Sequence, residues 1–122
     1  MSIKPSILVV DDEDGLRTLV ASELTRIGFK VESAGDGDLA IATLRRSKFD
    51  IAILDIKMPK VDGIEVLKFI HTNCPSTKAI MLTGFADLSY AMECKRYGAV
   101  DFIGKPFNFQ DLLSTIETVM KE

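Results

Sequence analysis

Ile51-Ala52-Ile53-Leu54-Asp55-Ile56-Lys57-Met58-Pro59-Lys60-Val61-Asp62-Gly63 is the stretch that decides the architecture. Its first four residues are an unbroken apolar run, the pattern of a parallel strand covered on both faces. The run stops at Asp55. Met58-Pro59 and Asp62-Gly63 then carry turn signals. Beyond them Ile64, Leu67 and Ile70 recur at helical spacing, so a helix starts there. The stretch reads as strand, loop and helix, with one carboxylate at the carboxyl end of the strand.

The same unit repeats outward in both directions. Ile7–Val10, Ala79–Leu82 and Val100–Ile103 are further apolar runs, and Lys30–Ser33 fits a strand between the first two helices. Leu16, Leu19, Val20, Leu24 and Ile27 lay one apolar stripe on a first helix, which Gly28 stops. Leu39, Ala40, Ile41 and Leu44 mark a second helix. Leu112, Leu113, Ile116, Val119 and Met120 mark the last. Asp87–Gly98 has the weakest stripe, with only Leu88, Ala91 and Met92, so its helix is expected to be the least firmly packed.

Alternating strands and helices with short connections imply a parallel sheet with helices on both faces. Lys30–Ser33 alternates in polarity and Val100–Ile103 carries Asp101, so these two strands belong at the edges. A doubly wound α/β domain of order 2-1-3-4-5, the flavodoxin-like order, satisfies this with right-handed crossovers.

Composition narrows the function. A chain of 122 residues without a composition shift is one domain, residues 1–122. A net charge of −3 argues against direct nucleic-acid binding, which needs a basic face. Cys74 and Cys94 have no zinc-site spacing. No apolar stretch approaches the roughly 20 residues of a membrane span. Met1–Pro5 does not open a signal peptide. The expectation is a cytoplasmic protein with no membrane or nucleic-acid contact and two reduced, inert cysteines.

In such a sheet ligands bind beyond the carboxyl ends of the strands, where the order reverses. Here that point lies between strands 1 and 3. Strand 1 runs into Asp11-Asp12-Glu13, strand 3 into Asp55, strand 4 into Thr83-Gly84, and strand 5 leads to Lys105-Pro106. Clustered carboxylates need a cation, and oxygen donors without His or Cys favour Mg²⁺ or Mn²⁺. A carboxylate can act as a nucleophile toward phosphorus and form an aspartyl phosphate. A metal and a lysine are the usual means of stabilising the charge in that transfer.

Leu8-Val9-Val10-Asp11-Asp12-Glu13, the run from Leu54 to Gly63, Leu82-Thr83-Gly84 and Lys105-Pro106-Phe107 together resemble the bacterial two-component receiver family. The likeness covers nearly the whole chain in order and spacing. It implies a phosphorylation-dependent signalling switch that takes its phosphoryl group from a sensor histidine kinase or a phosphotransfer protein. Asp55 is then the acceptor. Asp11 and Asp12 form the Mg²⁺ pocket, with Asp12 the more direct ligand, and Lys57 adds a backbone carbonyl. Thr83 binds a phosphoryl oxygen, Lys105 pairs with the phosphoryl group, and the bond before Pro106 is cis. Phe102 matches the aromatic switch position.

The resemblance further implies that catalysis is limited to the protein's own phosphorylation and dephosphorylation. Side chains two positions after the acceptor and after the Thr, here Lys57 and Phe85, tune hydrolysis, and a bulky Phe85 points to slow phosphate loss. The face of helix 4, strand 5 and helix 5 changes shape, and would be the face of any phosphorylation-dependent dimer. The segments from Phe85-Ala86-Asp87-Leu88 to Phe102–Phe107 look most like receivers of AAA+ transcription activators or hybrid kinases, which leaves a fused output domain open.

Rival readings share parts of this set. A haloacid-dehalogenase-like phosphatase also uses Asp, Thr and Lys, but places its nucleophile after the first strand, followed two residues on by a second Asp. A flavodoxin shares the sheet but needs a Ser/Thr/Gly-rich phosphate loop where this chain has acids. A phosphate-independent docking module would not need the complete Asp, Thr and Lys set. Taken singly, Asp11 and Asp12 could be helix caps, Asp62-Gly63 a plain helix start, His71 a helix-end charge, and Met58 and Met92 packing.

Overall fold

The apolar runs form strands whose side chains divide by parity between two layers, as a period of two requires. The computed structural model describes residues 4–84 and 89–122. Phe85, Ala86, Asp87 and Leu88 lie outside these residues, and with them the expected role of Phe85 in hydrolysis. In chain order the elements are β1 (Ser6–Val10), α1 (Asp14–Ile27), β2 (Lys30–Ala34), α2 (Gly37–Arg46), β3 (Ile51–Asp55) and α3 (Gly63–Asn73). Then follow β4 (Lys78–Thr83), α4 (Ala91–Arg96), β5 (Asp101–Gly104) and α5 (Phe109–Met120).

The sheet order is β2-β1-β3-β4-β5, all parallel. The two strands expected at the edges are there, for the reason given: β2 is mostly exposed and β5 half-covered, whereas every residue of β3 is buried. Leu8, Val10, Ala52, Leu54, Ala79 and Met81 point into a core shared with α2, α3 and α4. Ile7, Val9, Ile51, Ile53, Ile80 and Leu82 point into a second core with α1 and α5.

The helix ends follow local chemistry. Asp36, Asp62 and Asn108 cap α2, α3 and α5 by accepting the N–H of Leu39, Glu65 and Asp111 at 2.8, 3.0 and 2.8 Å. Gly28 closes α1 in the left-handed region at φ 117°, which a side chain would resist. Among the described residues no helix is long and apolar enough to cross a membrane.

Leu19, Leu39 and Met92 depart most from the expected stripes, at 60%, 55% and 78% exposed, and Met120 departs less, at 38%. On α1 the buried residues are Val20 and Leu24, one turn apart, and Leu19 falls on the solvent side of that row. On α2, Ala40, Thr43 and Leu44 face inward and leave Leu39 outside. On α4 the buried residue is Cys94, a free thiol that serves as a core residue. Burial pushes its pKa up to about 11, so it stays protonated at neutral pH.

Candidate phosphoryl and metal site

Parallel register brings the strand ends level. Val10 pairs with Leu54, Asp55 with Leu82, and Thr83 with Gly104. Asp11, the next residue after β1, therefore arrives beside Asp55, and its N–H donates to the Ala34 carbonyl at 3.2 Å. Asp11, Asp55 and Thr83 are buried, whereas Asp12 is exposed. Asp11, Asp12 and Asp55 each bring a carboxylate oxygen within 4.8 Å of the others.

Lys105 reaches into this cluster. Its Nζ lies 2.9 Å from Asp11 Oδ2 and 3.3 Å from Asp55 Oδ1. Asp11 Oδ1 accepts the Glu13 N–H at 2.9 Å. Asp11 Oδ2 has the ammonium beside it but no aligned hydrogen bond among the described residues. The electrostatics express the crowding. Burial, and then the charge of Asp11, push the Asp55 carboxyl up to about 7, against the opposing pull of Lys105. Burial alone would lower the Lys105 ammonium, but its contacts with Asp11 and Asp55 raise it above the usual lysine range.

Three carboxylates against one ammonium leave a shortfall of positive charge. Lys105 meets Asp11 and Asp55, and among the described residues no ion pair reaches Asp12. Oxygen donors alone, one exposed and two buried, suit a hard divalent cation that keeps part of its water. The residues present therefore fit Mg²⁺ or Mn²⁺.

The other expected site residues fall around this cluster. The Lys105–Pro106 peptide is cis. Lys57 stands in the loop after β3 with its side chain exposed and its ammonium 5.2 Å from the centre of the Tyr90 ring. Thr83 continues the odd-numbered series of β4 and so faces the α3–α4 side by alternation. Phe102 packs against the core on that same side and pairs in register with Met81, which makes it a diagonal neighbour of Thr83 across the sheet.

Two contributors escaped the sequence reading. Arg17 donates to the Asp11 carbonyl at 2.8 Å and pairs with Asp14 at 2.8 Å, so α1 holds the backbone of the acidic turn. Only its spacing of six residues from Asp11 could have hinted at this. Gly63 is more than a helix start. A Cβ there would overlap the Asp55 carbonyl oxygen, and its N–H donates to the Ile56 carbonyl at 3.0 Å. The opening of α3 is thus pressed against the backbone of Asp55, and only glycine permits the approach.

Comparison with known proteins agrees with this geometry. The sequence profile of the response regulator receiver domain matches residues 7–117. The regulatory protein AtoC of Escherichia coli is 32% identical over 94% of this chain, which spans 25% of that protein. A probable chemotaxis protein CheY of Rhizobium etli is 35% identical over 95% of this chain and 92% of its own length. The crystal structure of the receiver domain of NtrX from Brucella abortus superposes with a TM-score of 0.87 at 34% identity, covering 94% of this chain and 98% of that one.

Proposed function

The chain belongs to the response-regulator receiver family, whose role is that of a phosphoryl-accepting switch in two-component signalling, and we propose that its acceptor is Asp55. The observation that carries this reading is the Lys105 ammonium seated between Asp11 and Asp55 at 2.9 and 3.3 Å. We take the receiver unit to be residues 1–122.

In this reading an Asp55 carboxylate oxygen attacks the phosphorus of a phosphohistidine. The P–N bond breaks, and the imidazole leaves and takes up a proton. The attacking carboxylate must be ionised. Lys105 favours that state, while burial and Asp11 oppose it. Asp11, Asp12, Asp55 and the Lys57 backbone carbonyl would hold Mg²⁺ or Mn²⁺, which when bound supplies charge neutralisation for the carboxylates and the transferring oxygens. Arg17 fixes the acidic turn and Gly63 lets α3 buttress the acceptor.

After transfer, Lys105 has a stronger anion to follow, since a side-chain phosphate carries about −1.5 to −2 charge. Thr83 turns its hydroxyl toward the new oxygens. Phe102, packed beside β4 on the same face, takes the space that Thr83 leaves, and the α4–β5–α5 surface changes. Catalysis by the chain is confined to this self-phosphorylation and to later hydrolysis. The donor is a cytoplasmic sensor kinase or phosphotransfer protein. A relative named as a regulatory protein, of which this chain spans 25%, supports a fused output domain; in this reading that domain would engage the α4–β5–α5 face, and the same face would serve a phosphorylation-dependent dimer.

The test is intact mass after incubation with acetyl phosphate and Mg²⁺. Wild type should gain one phosphoryl increment that is lost when Mg²⁺ is chelated, and Asp55→Asn should gain none. An adduct retained in Asp55→Asn would move the acceptor to Asp11 or Asp12.

A further inference from the structure

α4 has six residues, of which only Cys94 is buried, and its N-cap Tyr90 makes no side-chain capping hydrogen bond. Two lysines from the β3–α3 limb reach over to it. Lys68 of α3 lies 3.8 Å from Glu93 and 5.1 Å from the centre of the Tyr97 ring. Lys57 places its ammonium 5.2 Å from the centre of the Tyr90 ring. The first lysine therefore holds the body and end of α4, and the second holds its start.

The second hook begins in the acceptor loop. Lys57 follows Asp55 by two residues, so their Cα atoms are at most about 7 Å apart, and a lysine side chain is long enough to swing from there toward a group carried on Asp55. We infer that Lys57 is a positioning residue that tethers the start of α4 through the Tyr90 ring while Asp55 is bare. Once Asp55 is modified, Lys57 gives its ammonium to the phosphoryl oxygens and releases the first turn of α4. This rests on Asp55 as the acceptor.

The reason is a competition for one cation. An aromatic face attracts an exposed ammonium weakly. In the unmodified protein Asp55 is no strong competitor, because Lys105 already lies against both Asp55 and Asp11. Among the described residues no carboxylate lies within ion-pair distance of Lys57, and the ring keeps it. A phosphoryl group changes the balance. It adds more charge than one ammonium offsets and presents several strong acceptor oxygens. The tether thus couples the chemistry to α4 by a route separate from Thr83 and Phe102, which lie on β4 and β5.

Amide hydrogen exchange over residues 91–96, with intact mass recorded on the same samples, tests this. Acetyl phosphate and Mg²⁺ should raise exchange there in wild type by about two- to five-fold, the scale of one exposed cation–π contact. Tyr90→Leu and Lys57→Met should show a similar rise before any phosphoryl is added, and phosphorylation should then add little. Tyr90→Phe, which keeps the ring face, should behave as wild type. If the wild type takes the adduct but both variants exchange as wild type does, or keep its full response to phosphorylation, the tether is wrong and the acceptor assignment stands. If the wild type takes no adduct, the acceptor reading and the hand-over fail together, while Tyr90→Leu still decides whether the tether exists.

Discussion

α3 and α4 pack on the same core and are held by opposite means. α3 buries Gly63, Ile64, Val66, Leu67 and Ile70 and is capped by Asp62. α4 buries Cys94 alone, starts without a side-chain cap, and is fastened across its surface by Lys57 and Lys68. Apolar burial is strong and insensitive to charge, whereas exposed cation–π and ion pairs are weak and respond to any new charge nearby. The helix pressed against the Asp55 backbone is thus fixed, and α4 hangs on weak surface contacts that a phosphoryl group on the proposed acceptor would compete for.

The largest effect should come from breaking the fixed side. Leu67→Ala removes a side chain that is 1% exposed and should lower stability by about 2–5 kcal/mol, measured by urea unfolding. A loss no greater than that of a surface variant would mean that α3 is not the firm half.

The next effect is electrostatic and belongs to the acceptor end. The Asp55 carboxyl titrates at about 7 in the folded, metal-free protein, against 3.8 for an ordinary aspartate. Its contribution to stability is fully present below about 3.8 and is lost as pH rises through about 7. Metal-free wild type should therefore weaken between about pH 4 and 8, by up to about 1.4 kcal/mol per pH unit. Asp55→Asn should flatten that slope and be the more stable protein at the alkaline end. Thermal midpoints across that range, equal in slope for both proteins, would remove the buried-carboxylate argument.

The smallest effect should be on the loose side. Met92→Ala, at a position 78% exposed, should change stability by no more than about 0.5 kcal/mol. A larger loss by the same unfolding measurement would show that α4 is packed after all, and would erase the contrast with α3.

Where the chain speaks through burial, it was legible. The apolar runs and the edge positions of β2 and β5 followed from polarity alone, because a two-sided sheet leaves few places for Lys30, Glu32 or Asp101. Asp55 stood out because it ends a strand that is otherwise wholly apolar. Legibility failed where one turn of helix decides between core and solvent. Leu19 and Leu39 are apolar and exposed. Met92 belongs to the expected stripe of α4 yet faces solvent, while Cys94, outside that stripe, fills the core. It failed again where a contact spans elements distant in sequence. Arg17 on the Asp11 carbonyl and Lys57 on the Tyr90 ring depend on three-dimensional proximity that no local period encodes.

The parity of the strands separates the proposed acceptor from the proposed switch residues. By alternation Asp55 shares a face with the α1–α5 core, while Thr83 and Phe102 lie toward α3 and α4. The sheet is thus a partition wall whose two sides meet along the carboxyl rim of its strands. The α4–β5–α5 face proposed for output wraps around the β5 edge of that wall, because α5 shares a core with α1 and α4 shares one with α3. A partner docked there would touch both sides of the wall at once.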